Sequence, residues 1–209
     1  MTKNNFLSEQ LNYIGENRNP TKLHLCTYNS KELTCYTDQD INSIIPLIND
    51  ENINWLQING MQDTGIIKNV CQFFNIDFLT TQDILNSKHL TKIEEHDDYN
   101  VVILKILRKN SEMEFEPQQL CIIHGKNYIL TFVEKETDFF KDILSALNKN
   151  TLKIRNRTSD YLLSVLLNSS MANFMSILSS MEDELEDMEE ALIEPYGQDV
   201  TGIDKIQIY

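Results

Sequence analysis

Residues 55–86 read WLQINGMQDTGIIKNVCQFFNIDFLTTQDILN, and this stretch decides the fold. The residues leading into it, 53–59, alternate as a strand that ends at Gly60. A helix is predicted next, because Ile66, Ile67, Val70 and Phe74 fall on one face of a 3.6-residue period. A small loop follows. A second short helix then carries Asp83 inside Gln82-Asp83-Ile84-Leu85-Asn86. Strand, helix and short helix ending in one placed carboxylate form a specific order of elements.

Working outward, residues 23–28 and 32–37 read as two strands around the turn Asn29-Ser30-Lys31. Asp38 or Asp40 is placed to cap a helix containing Ile41, Ile44, Ile45 and Ile48, which Pro46 keeps short or breaks. Residues 99–107 are apolar on both faces, the pattern of a central strand. Residues 119–124 and 128–133 are two more strands joined at Gly125-Lys126-Asn127. Thr137 or Asp138 starts a helix bearing Phe140, Ile143, Leu144 and Leu147. Strands mixed with helices through this region predict an α/β fold, a mixed β-sheet sandwiched between helical layers in the order α/β/α.

The last third changes character. Residues 159–193 contain neither Gly nor Pro. Leu167, Met171, Phe174, Leu178, Met181, Leu185, Met188 and Leu192 follow in steps of four and three, a heptad seam. Leu162, Val165 and Leu166 widen the apolar stripe at its start. The expected division is a loosely ordered segment over 1–20, an α/β sandwich over 21–157, a long antiparallel-type helix over 158–194 stopped by Pro195, and the start of another helix over 195–209. Because the chain ends as that helix begins, a fragment of a longer protein is expected.

Net charge is −14 over 209 residues. Affinity for nucleic acid comes mainly from Lys and Arg neutralising phosphates, so nucleic acid and anionic lipid are excluded as partners, and cations or a basic partner are favoured. No run of about 18 consecutive apolar residues occurs, so no membrane span is expected and this chain alone is not a transporter. The four cysteines, Cys26, Cys35, Cys71 and Cys121, form no C-x-x-C pair and indicate no zinc ribbon. Cys26 and Cys35 could face each other across the hairpin near Ser30, but buried reduced thiols are the expectation for a cytosolic chain. His24, His89, His96 and His124 show no zinc-enzyme spacing and read as surface or strand-end residues. There is no G-x-S-x-G elbow and no phosphate-binding glycine loop, so no enzyme is indicated.

The strand W-L-Q-I-N-G at residues 55–60, the following helix and the D-I-L-N turn at 83–86 resemble the cytosolic N-terminal domain of the CorA family of divalent-cation transporters. The likeness extends through residues 99–109, 119–135 and 159–193. It implies the cytosolic regulatory and assembly domain of a Mg²⁺/Co²⁺ transporter, joined as a homopentamer in the full-length protein. Such a chain lies at the cytoplasmic face of the membrane and reaches the membrane only through its missing C-terminal part, with its two spans and G-M-N pore motif. The alternatives are the structural assembly platform of a zinc-transporting relative without metal sensing, or an unrelated soluble ligand-binding domain.

The resemblance also implies metal residues. Asp83 would help bind a regulatory Mg²⁺, or Co²⁺, against an acid of a neighbouring subunit. One or two carboxylates can suffice for Mg²⁺, which keeps several waters. The competing reading is that Thr80-x-x-Asp83 starts a helix, with the acid near the positive dipole end. Two positions depart from the family pattern. Gln82 stands where an acid often precedes Asp83, and Asn168 stands eight residues after the aspartate of the D-Y-L-L run, Asp160. Both offer neutral oxygens, so a second metal site is expected to be weaker or absent. The acids between Glu182 and Glu190 read as a solvated face or as a loose cation-attracting surface.

Overall fold

The structure is a computed structural model that describes residues 10–38, 40–109 and 115–197. They fall into two compact units, one up to Ser169 and one from Ser170. The first unit is built on a seven-stranded sheet of order β2-β1-β3-β7-β6-β5-β4. Its strands are β1 (Lys22–Tyr28), β2 (Leu33–Asp38), β3 (Ile53–Asn59), β4 (Lys92–Glu95), β5 (Tyr99–Lys109), β6 (Phe115–Gly125) and β7 (Tyr128–Val133). β3 and β7 run parallel, and every other neighbouring pair is antiparallel.

Period-2 alternation divides each central strand between two cores. Leu23, Leu25, Leu56, Ile58, Val101, Ile103, Cys121, Ile123, Leu130 and Phe132 face one side. There they meet α1 (Ile41–Ile44), α2 (Thr64–Phe73) and α3 (Phe78–Ile84), through Ile41, Ile44, Ile67, Val70, Cys71 and Ile84. Cys26, Trp55, Val102, Ile106, Leu120, Ile122, Ile129 and Val133 face the other side. That face is covered by α4 (Lys141–Lys149) and the start of α5 (Ser159–Gly197), through Phe140, Ile143, Leu147, Leu162 and Leu166. The predicted α/β/α sandwich ending in a long helix is the fold observed.

Trp55 anchors the second core. Its ring meets Phe140 edge-on at 5.5 Å, and its indole N–H donates to Thr131 Oγ1 at 3.1 Å. Gly60, which closes the W-L-Q-I-N-G strand, has φ of +88°, and a Cβ there would lie 2.8 Å from the Pro20 carbonyl oxygen. Only glycine accommodates both the left-handed backbone and that approach.

Several expectations change. Pro46 breaks the first helix into α1 and a 3-10 turn over Ile45–Leu47, as its missing N–H requires. β4 was not foreseen. Cys26 and Cys35 form a disulfide rather than standing as reduced thiols, because the β1–β2 register sets them directly opposite with Cα atoms 4.2 Å apart. Cys71 and Cys121 are free and buried, as expected. Residues 10–20 have little regular structure yet are tied down: Ile14 bridges Asn86, and Tyr13 and Asn17 bond Glu134.

α5 runs through Pro195, the residue expected to stop it, and is described as far as Gly197. The helix reading of 201–209 lies outside the described residues. Residues 159–190 include a window long and apolar enough to cross a membrane by length and composition, contrary to expectation. Serines and asparagines interrupt the apolar run, yet the mean hydropathy of the window still reaches 1.4. Within the first unit, however, Leu162 and Leu166 are fully buried on the sheet. In the second unit the seam residues Met171, Leu178, Met181, Leu185 and Met188 are exposed, as are the acids over 182–190.

Two outcomes follow from this packing. Thr131→Val keeps shape but leaves the buried indole N–H unpaired, so urea denaturation should show a loss of about 1–3 kcal/mol. Burial pushes the Cys71 thiol up to about 12, and Cys121 is raised by the same cause. Mass spectrometry after alkylation at neutral pH should therefore find no label on the native unreduced protein, and label at Cys71 and Cys121 once it is denatured.

Candidate metal and subunit-contact site

The D-I-L-N turn works as a pivot at the end of α3. Ile84 and Leu85 are fully buried in the first core. Asn86 forms the bridge to Ile14, flanked by Ile14 N–H donating to Leu85 O at 2.8 Å and Ser87 N–H donating to Ile14 O at 3.0 Å. The last carbonyls are held from the sheet. Gln119 Nε2 donates to Ile84 O at 3.2 Å, and Lys105 Nζ donates to Ser87 O at 2.7 Å. With its neighbours fixed inward, Asp83 points outward, its side chain about a quarter exposed.

Asp83 does not cap α3. The cap is Asp77, which accepts from Thr80 N–H and Thr80 Oγ1, each at 2.8 Å, and from the Tyr99 hydroxyl at 2.6 Å. Asp83 instead sits in the last turn, where the helix dipole disfavours a negative charge. One cation and one imidazole meet it there. Lys92 Nζ lies 2.8 Å from Asp83 Oδ2, and His89 Nε2 lies 3.4 Å from Asp83 Oδ1. Lys92 also reaches Glu94 at 2.5 Å, and Glu94 and Asp77 flank His96 at 3.6 and 3.7 Å. The result is a chain of carboxylates, an ammonium and imidazoles along the β4 edge, with His96 stacked on Tyr99 at 4.4 Å.

The ionisation of these groups follows their partners. Burial alone would raise the Asp77 carboxyl, but donation from Tyr99 and Thr80 outweighs it and holds the group below the usual range. Burial would lower Lys92, but its bonds to Asp83 and Glu94 raise it. Glu94 is lowered chiefly by its bond from Lys92.

The other expected metal residues are engaged elsewhere. Gln82 clamps the N-terminal segment: its Oε1 accepts from Asn12 N–H at 3.2 Å and its Nε2 donates to Asn12 O at 2.9 Å. Both ends of its amide are used, which holds Gln82 on the N-terminal segment. Asn168 is exposed on α5, its Nδ2 3.4 Å from Ser164 Oγ. α3 packs on one face of the sheet and the first turns of α5 on the other, so Asp83 and Asn168 do not meet within one chain. Asp160, one residue into α5, lies 3.5 Å from His124.

One chain therefore supplies a single carboxylate with the Lys92 ammonium and the His89 ring already upon it. That does not make a Mg²⁺ site by itself; it needs further oxygens from water or from a second copy. The surroundings are apolar and exposed. Leu79, one helical turn before Asp83, is 63% exposed, and Leu90 and Ile93, on either side of Lys92, are 82% and 80% exposed. The sequence reading missed Lys92 and His89. The signal was the four-residue run Lys92-Ile93-Glu94-Glu95, whose charges suit an edge strand. A pocket of about 540 Å³ lined by Pro20, Thr21, Gln62, Asp63, Thr64 and Ile66 gathers no catalytic set, and Asp63 in it caps α2.

With this geometry in place, known proteins can be compared. The family model for CorA-like Mg²⁺ transporter proteins matches residues 50–204, and the chain belongs to that family. It is 29% identical over 183 residues to the cobalt/magnesium transport protein CorA of Thermotoga maritima, covering 87% of this chain and 52% of that protein. The chain thus spans about half the length of that curated relative. Its fold matches the soluble domain of CorA from Methanocaldococcus jannaschii with a TM-score of 0.63 at 18% identity, over 82% of this chain and 64% of that one. It matches the ZntB cytoplasmic domain from Vibrio parahaemolyticus with a TM-score of 0.61 at 12% identity, over 79% and 64% respectively.

The cap assignment has a pH signature. Asp77 has a folded pKa below its unfolded value of about 3.9. The stability it contributes is present above that value and is lost as pH falls through the folded pKa. Denaturation of wild type and Asp77→Asn should differ most near neutral pH, with the gap closing below about pH 4. Removing the cap in Asp77→Ala should cost about 1 kcal/mol.

Proposed function

We propose that this chain is the cytosolic regulatory and assembly part of a CorA-type Mg²⁺/Co²⁺ transporter, working as a homopentamer in the complete protein. Asp83 reads the intracellular Mg²⁺ concentration at the contact between copies. The observation that carries this reading is the outward carboxylate of Asp83, set beside exposed Leu79, Leu90 and Ile93. Membership of the family and the likeness to a cobalt/magnesium transport protein support the cation class. Net charge of −14 favours cations as partners.

The physical logic is a population shift. In a lone subunit Lys92 neutralises Asp83. A partly exposed pair of this kind is worth about 1 kcal/mol or less, so it holds the carboxylate without locking it. A hydrated Mg²⁺ bridging Asp83 to a carboxylate of the next copy stabilises only the arrangement that brings the two together. When Mg²⁺ falls, Asp83 returns to Lys92 and the contact loosens.

A second reading has its own observation. Gln82 is fully engaged with Asn12, and Asp83 already has Lys92 and His89, as in an assembly platform without metal sensing. Calorimetric Mg²⁺ titration of the complete protein separates the two. Sensing requires that Asp83→Ala lose binding, whereas identical isotherms remove Asp83 from the mechanism and leave the platform. Lys92→Met should raise Mg²⁺ affinity by up to about fivefold, and should have no effect in the Asp83→Ala background.

A further inference from the structure

Away from Asp83, the described residues bring together another set of metal-competent side chains: His24, Cys26 and Cys35, whose ligand atoms all lie within 4.8 Å of one another. They sit at the other end of the sheet order from β4, on the hairpin of β1 and the edge strand β2. The register pairs Cys26 with Cys35 and His24 with Thr37, and period-2 alternation puts all four on the face of Trp55.

The histidine is oriented for ligation. Its Nδ1 lies 2.8 Å from Thr37 Oγ1, and in the tautomer that donates the Nδ1 proton to that hydroxyl the Nε2 lone pair is free. Nε2 lies 3.4 Å from Cys26 Sγ. Metal–sulfur and metal–nitrogen bonds of about 2.3 and 2.05 Å at the tetrahedral angle separate S and N by about 3.6 Å, so this edge is already nearly formed. A ligating His whose other nitrogen is held by a hydrogen bond is the usual arrangement in such sites.

A separate observation marks the same place. Gln57 on β3 is the cross-strand partner of His24, is 3% exposed, and its Nε2 has no hydrogen-bond partner. A buried unpaired donor costs about 1–3 kcal/mol, and an acceptor arriving on this face, such as a metal-bound thiolate, would relieve it by taking a hydrogen bond.

We propose that reduction of the Cys26–Cys35 disulfide turns this hairpin into a His–Cys₂ site for a thiophilic divalent cation, Zn²⁺ by its donor set. The balance is simple. A dithiol reductant supplies two electrons and two protons, becoming a disulfide, and leaves two thiols. Binding of the cation releases those two protons, and two thiolates and Nε2 hold the ion, with water in the fourth position. Cys26 is buried while Cys35 is exposed, so the ion enters from the β2 edge. Soft sulfur donors select against Mg²⁺, and this site is independent of the Asp83 reading.

The test uses the full 209-residue chain, reduced with a phosphine, desalted without oxygen and titrated with Co²⁺. The expected result is a sulfur-to-cobalt charge-transfer band saturating at one equivalent, abolished by Zn²⁺ and untouched by excess Mg²⁺. The band should be missing from the oxidised protein and from Cys35→Ser, whose exposed position spares the core. His24→Ala should weaken binding by about tenfold or more. No band in the reduced wild type, an equal band in the oxidised protein or in Cys35→Ser, or unchanged affinity in His24→Ala would each overturn the proposal.

Discussion

The parallel pair β3–β7 at the middle of the sheet is the constraint from which the rest follows. Both strands are apolar on both faces: Trp55 against Leu56 and Ile58, Ile129 and Val133 against Leu130 and Phe132. A strand buried twice needs two covering layers, because unmatched apolar area left in water costs about 25 cal/mol per Å². The chain between β3 and β7 supplies α2 and α3 to one face, then the meander β4-β5-β6. The chain after β7 supplies α4 and the first turns of α5 to the other face. Asp83 therefore lies under one face and Asn168 on the other, which makes a shared metal site within one copy impossible.

The same packing gives Asp83 its electrostatic character. Ile84 and Leu85 must enter the core, so the preceding residue is turned outward in the last turn of α3. A carboxylate at that end is unfavourable unless a cation meets it, and β4 delivers Lys92 to the spot. The pair leaves the carboxylate exchangeable. Such a group can answer to a competing cation, whereas one sealed by a backbone N–H and two hydroxyls, as Asp77 is by Thr80 and Tyr99, cannot.

Much of the fold was legible because its strands are long and apolar. β1, β3, β5 and β7 stand within a residue or two of where alternation and turn residues place them. β4 was not legible: its four residues pair polar with apolar at an exposed edge, and only the pairing with β5 makes it a strand. The helix-start reading of Asp83 fails for a local reason. Thr80-x-x-Asp83 and Asp77-x-x-Thr80 are both plausible helix starts, and the tertiary bond from Tyr99 to Asp77 selects the earlier one. Gln82 resembled a weakened ligand, but its amide matches the backbone of Asn12, a contact 70 residues away that no local pattern announces. The Cys26–Cys35 bond was geometrically visible in the hairpin, and an inference about cellular compartment overrode it.

The central claim is that Asp83 exchanges Lys92 within its own chain for a cation shared with another copy. A cryo-electron microscopy structure of the complete protein in millimolar Mg²⁺, compared with one in chelator, tests this most directly. The expected result is Asp83 turned from Lys92 toward the neighbouring subunit, with hydrated-ion density between two carboxylates, and back on Lys92 in chelator. An Asp83–Lys92 pair that keeps its 2.8 Å geometry in both maps, with no density between subunits, would contradict it.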